Sequence, residues 1–193
     1  RHHAFGAWKG IVMAVQYLAA NRFGLGRRFD DPPIADPKAW LTRQIGDYDP
    51  APAALAGLAT RETIASAYAE YREERQAERR AAAVSDGDDN MPQAGRRMAR
   101  AGFRRHYAEA ASARLAAAVA TPTPFPERLV HFWTNHFAIS ADKQTVVGFA
   151  GNYENEAIRP HIMGKFSDLL IAAVHHPAML LYLDQAQSFG PDS

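Results

Sequence analysis

The stretch that decides the fold covers residues 127–140 and reads ERLVHFWTNHFAIS. Prolines at positions 124 and 126 fit only the first turn of a helix, so the sequence predicts a helix that begins there. At about 3.6 residues per turn, the helix has an apolar, mostly aromatic face and a polar face. The apolar face carries Leu129, Phe132, Trp133, His136 and Phe137. The polar face carries Arg128, His131, Thr134 and Asn135.

The two histidines of this helix lie on different faces. His131 and His136 are five residues apart, which separates them by about 140° and prevents them from chelating one ion. We predict that His136 is buried against aromatic neighbours and hydrogen-bonded, because burying a polar group without a partner costs about 1–3 kcal/mol. His131 should be more exposed. The polar stripe of His131 and Asn135 either faces solvent or lines a cleft that another element closes.

The whole chain predicts an all-α fold, an irregular multi-helix domain with a long antiparallel helical hairpin. Strand patterns are nearly absent, whereas helical periodicity and helix caps are frequent. Asp36 followed by Pro37 is typical of a helix start, and long helices are predicted over residues 60–83 and 94–120. Near the end of the chain, a pair of apolar helices is predicted to divide at His176-Pro177. We expect N-terminal helices and loops at 1–59, the hairpin at 60–120 and motif helices at 121–193, the last sharing one fold with 1–59.

The loop of the predicted hairpin carries Asp86, Asp88 and Asn90 at alternate positions, as in the first half of a calcium-binding loop. The match then fails, because Met91 stands where glycine is needed and Arg97 stands where a glutamate ligand is needed. We therefore predict a solvated, weakly ordered tip at residues 86–90.

The amino-acid composition excludes several kinds of site and partner. The 193 residues are 47% hydrophobic, enough for one sizeable domain or two small ones. The absence of cysteine excludes disulfides, thiolate metal sites and cysteine nucleophiles. A net charge of +1 gives no reason to expect nucleic acid as a partner, and no segment reaches the roughly 20 apolar residues of a transmembrane helix. The first residues begin basic and continue apolar, but Gln16 and Tyr17 favour an ordinary helix, so there is no clear signal peptide.

Four stretches carry a family resemblance: NRFGLG at 21–26, ERLVHFWTNHFAIS at 127–140, EAIRPHIMGKFSDLL at 156–170 and HPAMLLYLDQAQSFGPDS at 176–193. Together they resemble the bacterial domain-of-unknown-function 1800 family, from about Ala14 to the last residue. The resemblance implies a helical protein and, because many members are exported, a location outside the cytoplasm or at the cell envelope. It assigns no function. The motif positions include His131, Asn135, His136, Arg159, His161, His176, Tyr182 and Asp184.

The resemblance also implies that the site extends beyond this chain. Family members are larger and carry, further along, a segment rich in asparagine, arginine, glutamate and histidine, whereas this chain ends at FGPDS. Carboxylates and histidine are ligands for divalent metals and partners in acid–base chemistry. The cofactor therefore stays open: the part beyond this chain would supply either ligands for a divalent metal or partners in acid–base chemistry, and we expect no metal held by this chain alone.

Two functional hypotheses follow. The first is a metal- or carboxylate-dependent enzyme whose site is completed by a C-terminal part beyond this chain. The alternative is a non-catalytic helical scaffold or an envelope-associated binding protein. The candidate polar site consists of His131, Asn135, His136, Arg159, His161 and Asp184. Their convergence on one cavity would favour the enzyme, and their separation would favour the scaffold.

The last apolar run, at residues 166–189, predicts a contact surface. Its apolar side chains cover most of the circumference of their helices, and such helices are normally buried on most sides. We expect an exposed apolar patch near Leu180 to Phe189, covered by the C-terminal part of the protein or by another copy of the chain. An unfilled polar pocket should lie near the His131 stripe.

Overall fold

The protein is all-α, as predicted. The computed structural model describes residues 15–84 and 93–185, together with positions 188 and 190. Within these residues there are eight α-helices and no strand. The predicted tip at 86–90 and the residues that resemble a calcium loop lie outside the described ranges.

The N-terminal part contains two helices and a short turn. The described part of α1 spans residues 15–23, and α2 spans Pro37–Gly46. Asp36 caps α2, since its carboxylate accepts hydrogen bonds from the backbone N–H groups of Lys38 and Ala39 over 2.9 and 3.0 Å. The helix start predicted at Asp36 is therefore confirmed. A single 3₁₀ turn, Ala53–Leu55, follows.

Two long helices occupy the middle of the chain. Helix α3 spans Arg61–Val84 and α4 spans Gln93–Ala120, close to the predicted bounds. They contact each other through aromatic rings, with the ring of Phe103 6.5 Å from that of Tyr68 and 6.1 Å from that of Tyr71. Their arrangement as an antiparallel hairpin, and the division into three parts, stay predictions.

The motif region follows. Its helices are α5 (Pro124–His136), α6 (Gln144–Tyr153), α7 (Phe166–His175) and α8 (Pro177–Tyr182). A π-helical turn, Glu154–Ile158, and a 3₁₀ turn, Arg159–His161, connect α6 to the segment before α7.

The boundary between α7 and α8 is set by a histidine and a proline. The Nδ1 atom of His176 accepts a hydrogen bond from the backbone N–H of Ala178 over 3.2 Å, which caps α8. Pro177 occupies the first helical position, where its missing N–H is not needed. The predicted break at His176-Pro177 is therefore confirmed.

Helix α6 lies close to α4 because glycines face the contact. A Cβ atom placed on Gly151 would lie 2.4 Å from the Cβ of Ala110, and one placed on Gly148 would lie 2.8 Å from the ring of Phe103. The buried apolar core extends from this contact to α3, α5, α7 and α8. Its members are Ile64, Tyr71, Phe103, Val130, Val147, Phe149, Tyr153, Ala157, Ile158, Ile162, Leu169, Ala173, Ala178 and Met179.

The orientation of α5 differs from the predicted one. His136 is exposed and His131 is half-buried, so the prediction that His136 is the buried histidine was wrong. The buried side chains of α5 are instead Pro126, Glu127 and Val130. The helix is turned because Glu127 has a charged partner in the interior. Phe132 is exposed, whereas Trp133 and Phe137 are half-buried and pack against the edge of the core.

The exposed apolar surface also differs from the predicted one. Leu180 and Leu181 are half-buried, because α8 packs Ala178 and Met179 into the core, and Phe189 lies outside the described residues. Among the described residues of the predicted range, only Leu183 is an exposed apolar side chain, and the others of the motif region lie mainly on α5 and α7. Those on α5 and α7 are Phe132, Phe166, Leu170, Ile171 and Val174. Across the described ranges, no helix has the length and apolar character needed to cross a membrane.

Candidate functional site

A buried ion pair joins α5 to the segment after the π-helical turn. Arg159 is 0% exposed and Glu127 is 2% exposed. The Nη1 and Nη2 atoms of Arg159 donate to the two carboxylate oxygens of Glu127 over 2.9 and 2.6 Å. Such two-bond pairing of a guanidinium with a carboxylate is stronger and more directional than a single hydrogen bond. The pair therefore fixes both side chains.

A second buried carboxylate, Glu154, completes the surroundings of Arg159. The Nε atom of Arg159 donates to Oε1 of Glu154 over 3.2 Å, and its Nη2 atom lies 3.1 Å from the same oxygen. The π-helical turn makes this contact, because the backbone N–H of Arg159 donates to the carbonyl of Glu154 five residues earlier. π-Helical turns occur frequently at functional sites.

The charges of the pair stabilise each other. Burial alone would raise the pKa of Glu127, but the neighbouring His131 and the hydrogen bonds and charge of Arg159 outweigh it and lower that pKa to about 2. Burial opposes the charge of Arg159, yet Glu127 and Glu154 raise the pKa of the guanidinium. The hydroxyl of Tyr48 donates to the backbone carbonyl of Arg159 over 3.0 Å, and burial raises the pKa of that phenol. At neutral pH Glu127 and Arg159 are ionised.

Glu154 extends the network to α4. Its Oε2 atom accepts a hydrogen bond from the hydroxyl of Thr134 over 3.0 Å and lies 2.7 Å from Nε of Arg114. Two guanidiniums and two carboxylates thus alternate in the order Arg114, Glu154, Arg159, Glu127. We call these four residues the charge network. Their formal charges balance, which makes burial of the inner members tolerable.

A cavity lies at the outer end of the charge network. It has a volume of about 220 Å³ and is bounded by α4, α5, α6 and the π-helical turn. The polar side chains in its wall are Arg114, Thr134, Asn135, Glu154 and Asn155, together with the phenols of Tyr107 and Tyr153. Since Asn135 is exposed and the side chain of Arg114 is 39% exposed, the cavity opens to solvent. The charge network therefore connects the core to a recess that a small molecule can enter.

His131 lies at the inner end of the charge network. It is one helical turn after Glu127, and its Nε2 atom lies 3.5 Å from Oε1 of that carboxylate. The Nε2 atom is buried and makes no closer hydrogen bond within the described residues, whereas 31% of the side chain is exposed. Glu127 therefore contacts Arg159 on its inner side and an accessible imidazole on its outer side.

A comparison with protein families identifies the chain. The family model described as "Protein of unknown function (DUF1800)" matches residues 18–193. The chain belongs to the DUF1800 family. This confirms the resemblance drawn from the sequence, and it places the whole charge network inside the DUF1800 domain. No curated protein matches the chain, and no solved structure does.

The six candidate residues of the DUF1800 domain do not converge on one point. Arg159 and His131 meet at Glu127, and Asn135 lies in the cavity wall. The other three lie elsewhere. His136 is exposed and stacks on Phe132, with 6.3 Å between ring centroids. His161 lies in the 3₁₀ turn and is half-buried.

Asp184, the sixth candidate, has a local structural role. Its carboxylate lies 2.6 Å from Nζ of Lys143, which also donates to the backbone carbonyl of Tyr182 over 3.0 Å. This contact satisfies a carbonyl at the end of α8, as a cation near a helix C-terminus does. Asp184 has a φ of 58°, a left-handed conformation that aspartate adopts more readily than most residues.

The sequence reasoning missed three members of the charge network: Arg114, Glu127 and Glu154. Glu127 reads as an ordinary acidic residue in the first turn of a helix, where it suits the helix dipole. The one available signal was its spacing of four residues from His131, which places both side chains on one face. Arg114 and Glu154 carry no local signal, since their partners come from other helices.

A second polar cluster surrounds Glu156, also in the π-helical turn. Its Oε1 atom accepts a hydrogen bond from the side-chain amide of Asn152 over 3.1 Å, and its Oε2 atom lies 3.4 Å from Nε2 of His176. Arg61 lies 3.6 Å from the same oxygen. Burial lowers the pKa of His176. Because Nδ1 of His176 caps α8, this cluster has a structural role at a helix junction.

The described side chains were also compared with what a metal site requires. Within residues 15–84 and 93–185, no group of three or more histidine, cysteine, aspartate or glutamate side chains is placed to hold a metal ion. The buried carboxylates are already engaged, Glu127 by Arg159 and Glu154 by Arg159 and Arg114.

Proposed function

We propose that this DUF1800 domain belongs to a carboxylate-dependent enzyme in which His131 is the acid–base residue and Glu127 orients it. The observation that supports this proposal is the sequence of contacts from Arg159 to Glu127 to His131. A fully buried guanidinium holds the carboxylate in place, and that carboxylate lies against the inner nitrogen of a partly exposed histidine. A buried carboxylate behind an accessible imidazole is an arrangement used in acid–base catalysis.

The proposed chemistry is proton transfer at His131. In the neutral imidazole, Nε2 carries its proton towards Glu127, which leaves Nδ1 to accept a proton from water or from a substrate hydroxyl. The negative charge of Glu127 then stabilises the imidazolium until the proton passes to a leaving group. The present distance of 3.5 Å exceeds a good hydrogen bond. Catalytic hydrogen bonds are often long in the free enzyme and shorten when substrate binds.

A non-catalytic helical scaffold is the alternative, and the separation of His136, His161 and Asp184 from the other three candidate residues supports it. His176 caps α8, Asp184 pairs with Lys143 beside the end of the same helix, and His136 packs on Phe132. These motif residues act within the fold. In the scaffold hypothesis, Glu127 serves only to neutralise the charge of Arg159, and His131 contributes little to the function of the protein. The expectation that further groups come from beyond this chain stays a prediction.

Substrate profiling of paired variants distinguishes the two. The complete protein, including any part beyond this chain, and its His131→Gln and His136→Gln variants are incubated with a panel of esters, amides, phosphoesters and glycosides. The proposal predicts that wild type turns over at least one class, and that His131→Gln loses about a hundredfold or more of this activity. His136→Gln is the matched control, on the same helix but away from the carboxylate, and should keep full activity. Absence of turnover in every class, or equal turnover in both variants, would support the scaffold.

A further inference from the structure

The cavity beside Glu154 has the features of a separate binding site. It does not include His131 in its wall, so the inference drawn here stands independently of the proposed acid–base role. Its volume of about 220 Å³ is below the roughly 300–1,000 Å³ of pockets that hold drug-sized ligands. At about 30 Å³ for each water molecule in the liquid, it has room for a ligand of only a few heavy atoms.

Arg114 supplies the main recognition group of this cavity. Its Nε atom lies 2.7 Å from Oε2 of Glu154, an ion pair without an aligned hydrogen bond, which holds one edge of the guanidinium beside that carboxylate. Among the described residues, Arg114 makes no other ion pair or hydrogen bond, so the N–H groups on its two Nη atoms remain available. A guanidinium held by one edge presents its other donors in the planar geometry that matches a carboxylate.

Glu154 does not compete for a ligand at this position. Its Oε1 atom is occupied by Arg159, and its Oε2 atom is occupied by Thr134 and Arg114. A cationic ligand would therefore have to displace an existing partner. An anionic ligand needs no such displacement, because the free donors belong to Arg114.

The rest of the wall indicates what kind of anion fits. The side-chain amides of Asn135 and Asn155 make no hydrogen bond to the described part of the protein, so both can donate to a ligand. The remaining wall is largely apolar. Apart from Tyr107, Tyr153 and Gly151, it is formed by Ala110, Ala111, Ala138, Ile139, Ala141 and Ala150. A ligand with one anionic end and a short apolar end satisfies both parts of this wall, whereas inorganic phosphate satisfies only one.

We propose that the cavity binds a small organic acid, with its carboxylate on the Nη atoms of Arg114 and its short carbon chain against the alanines and Ile139. Asn135 and Asn155 donate to the same carboxylate or to a hydroxyl beside it. This assigns Arg114 as a binding residue, a role that nothing in the sequence pattern of α4 indicates.

Ligand-observed NMR with wild-type protein tests this inference. The probes are propanoate and butanoate, with propanamide as the uncharged analogue and inorganic phosphate as the fully polar anion. We expect the two carboxylates to bind and propanamide not to bind. Binding of propanamide as tight as that of propanoate would overturn the role of charge. Phosphate binding at least as tight as propanoate would overturn the role of the apolar wall.

Two variants locate the ligand in the cavity. Arg114→Lys keeps the charge but loses the planar fork, so propanoate affinity should fall by about tenfold or more. Arg105→Lys is the matched control, an exposed arginine of α4 that pairs with Glu109 outside the cavity, and should leave affinity unchanged. Asn135→Asp, at an exposed position that folding tolerates, should also weaken binding by repelling the anion. Equal affinity in wild type, Arg114→Lys and Asn135→Asp would place the ligand elsewhere and overturn the inference.

Discussion

The two faces of α5 differ in a way that reverses the usual relation between polarity and burial. The inward face carries a carboxylate, Glu127, beside Val130, and both are almost fully buried. The outward face carries Phe132, which is 55% exposed, and the exposed His136. This difference shows that the face a helix buries depends on which interaction partners its side chains find in the interior. Here the strongest interior partner is a guanidinium, that of Arg159.

The free-energy costs of burying and exposing the two faces explain why Glu127 points inward and Phe132 outward. Arg159 is fully buried, and a buried charge without partners is far more costly than an exposed aromatic ring. Turning α5 to bury Phe132 would remove Glu127 from Arg159. At the surface, the aromatic residues limit their own exposure, with Trp133 5.5 Å from Phe166 and 5.3 Å from His136 between ring centroids.

The largest expected effect follows from removing the buried carboxylate. Glu127→Ala should lower the free energy of unfolding by about 3–5 kcal/mol, because it leaves the buried Arg159 with only part of its compensating charge. Urea denaturation measures this effect. Glu109→Ala is the matched control, since Glu109 is an exposed carboxylate paired with Arg105 on α4, and should cost less than about 1 kcal/mol. Equal losses in the two variants would contradict the account of the inward face.

A smaller loss of folding stability is expected at acidic pH. Because the pKa of Glu127 is lowered to about 2 from 4.5, its contribution is present above pH 4.5 and is lost as the pH falls towards 2. The loss between pH 6 and pH 3 should be about 2 kcal/mol, from about 1.4 kcal/mol for each pH unit below the unfolded-state pKa. Denaturation of wild type and Glu127→Gln at pH 6 and pH 3 measures it, and the variant should lack this part of the pH dependence. An identical pH dependence in both proteins would show that Glu127 is not stabilised by its charge.

The smallest effects are expected on the outward face. Phe132→Ala and His136→Ala should each lower the free energy of unfolding by less than about 1 kcal/mol, since both side chains are exposed and pack mainly on neighbouring rings. Thermal denaturation of the two variants beside Val130→Ala tests the comparison. Val130 is 0% exposed, so Val130→Ala should lower the free energy of unfolding by more than the other two variants. A loss at His136 as large as that at Val130 would place the histidine inside.

The sequence predicts the helices better than it predicts the site. The start at Asp36 and the junction at His176 could be predicted because a cap and a proline act on their own neighbours in the chain. The family motifs also singled out Arg159 and His131. The burial of Glu127 could not be predicted, because its partner Arg159 lies 32 residues away and reaches it only through the π-helical turn.

The cavity could not be predicted from the sequence for the same reason, since its residues come from different helices. Asn135 belongs to a polar stripe that the sequence of α5 made visible, but Arg114 and Glu154 come from α4 and the π-helical turn. Their approach depends on Gly151, whose missing side chain lets α6 lie against Ala110. Hydrophobic periodicity carries no information about which two helices meet or at what distance.

Cysteine labelling of α5 tests the central claim most directly, because the natural sequence has no cysteine to interfere. Val130→Cys and His136→Cys are each treated with a thiol reagent under native conditions and after denaturation. The account predicts that the thiol at position 136 reacts at nearly its denatured rate, whereas the thiol at position 130 is protected about a hundredfold or more, reacting only when the structure opens. Protection at position 136 with rapid reaction at position 130 would contradict the account, since it would mean that the aromatic face of α5 lies inside and the Glu127 face outside.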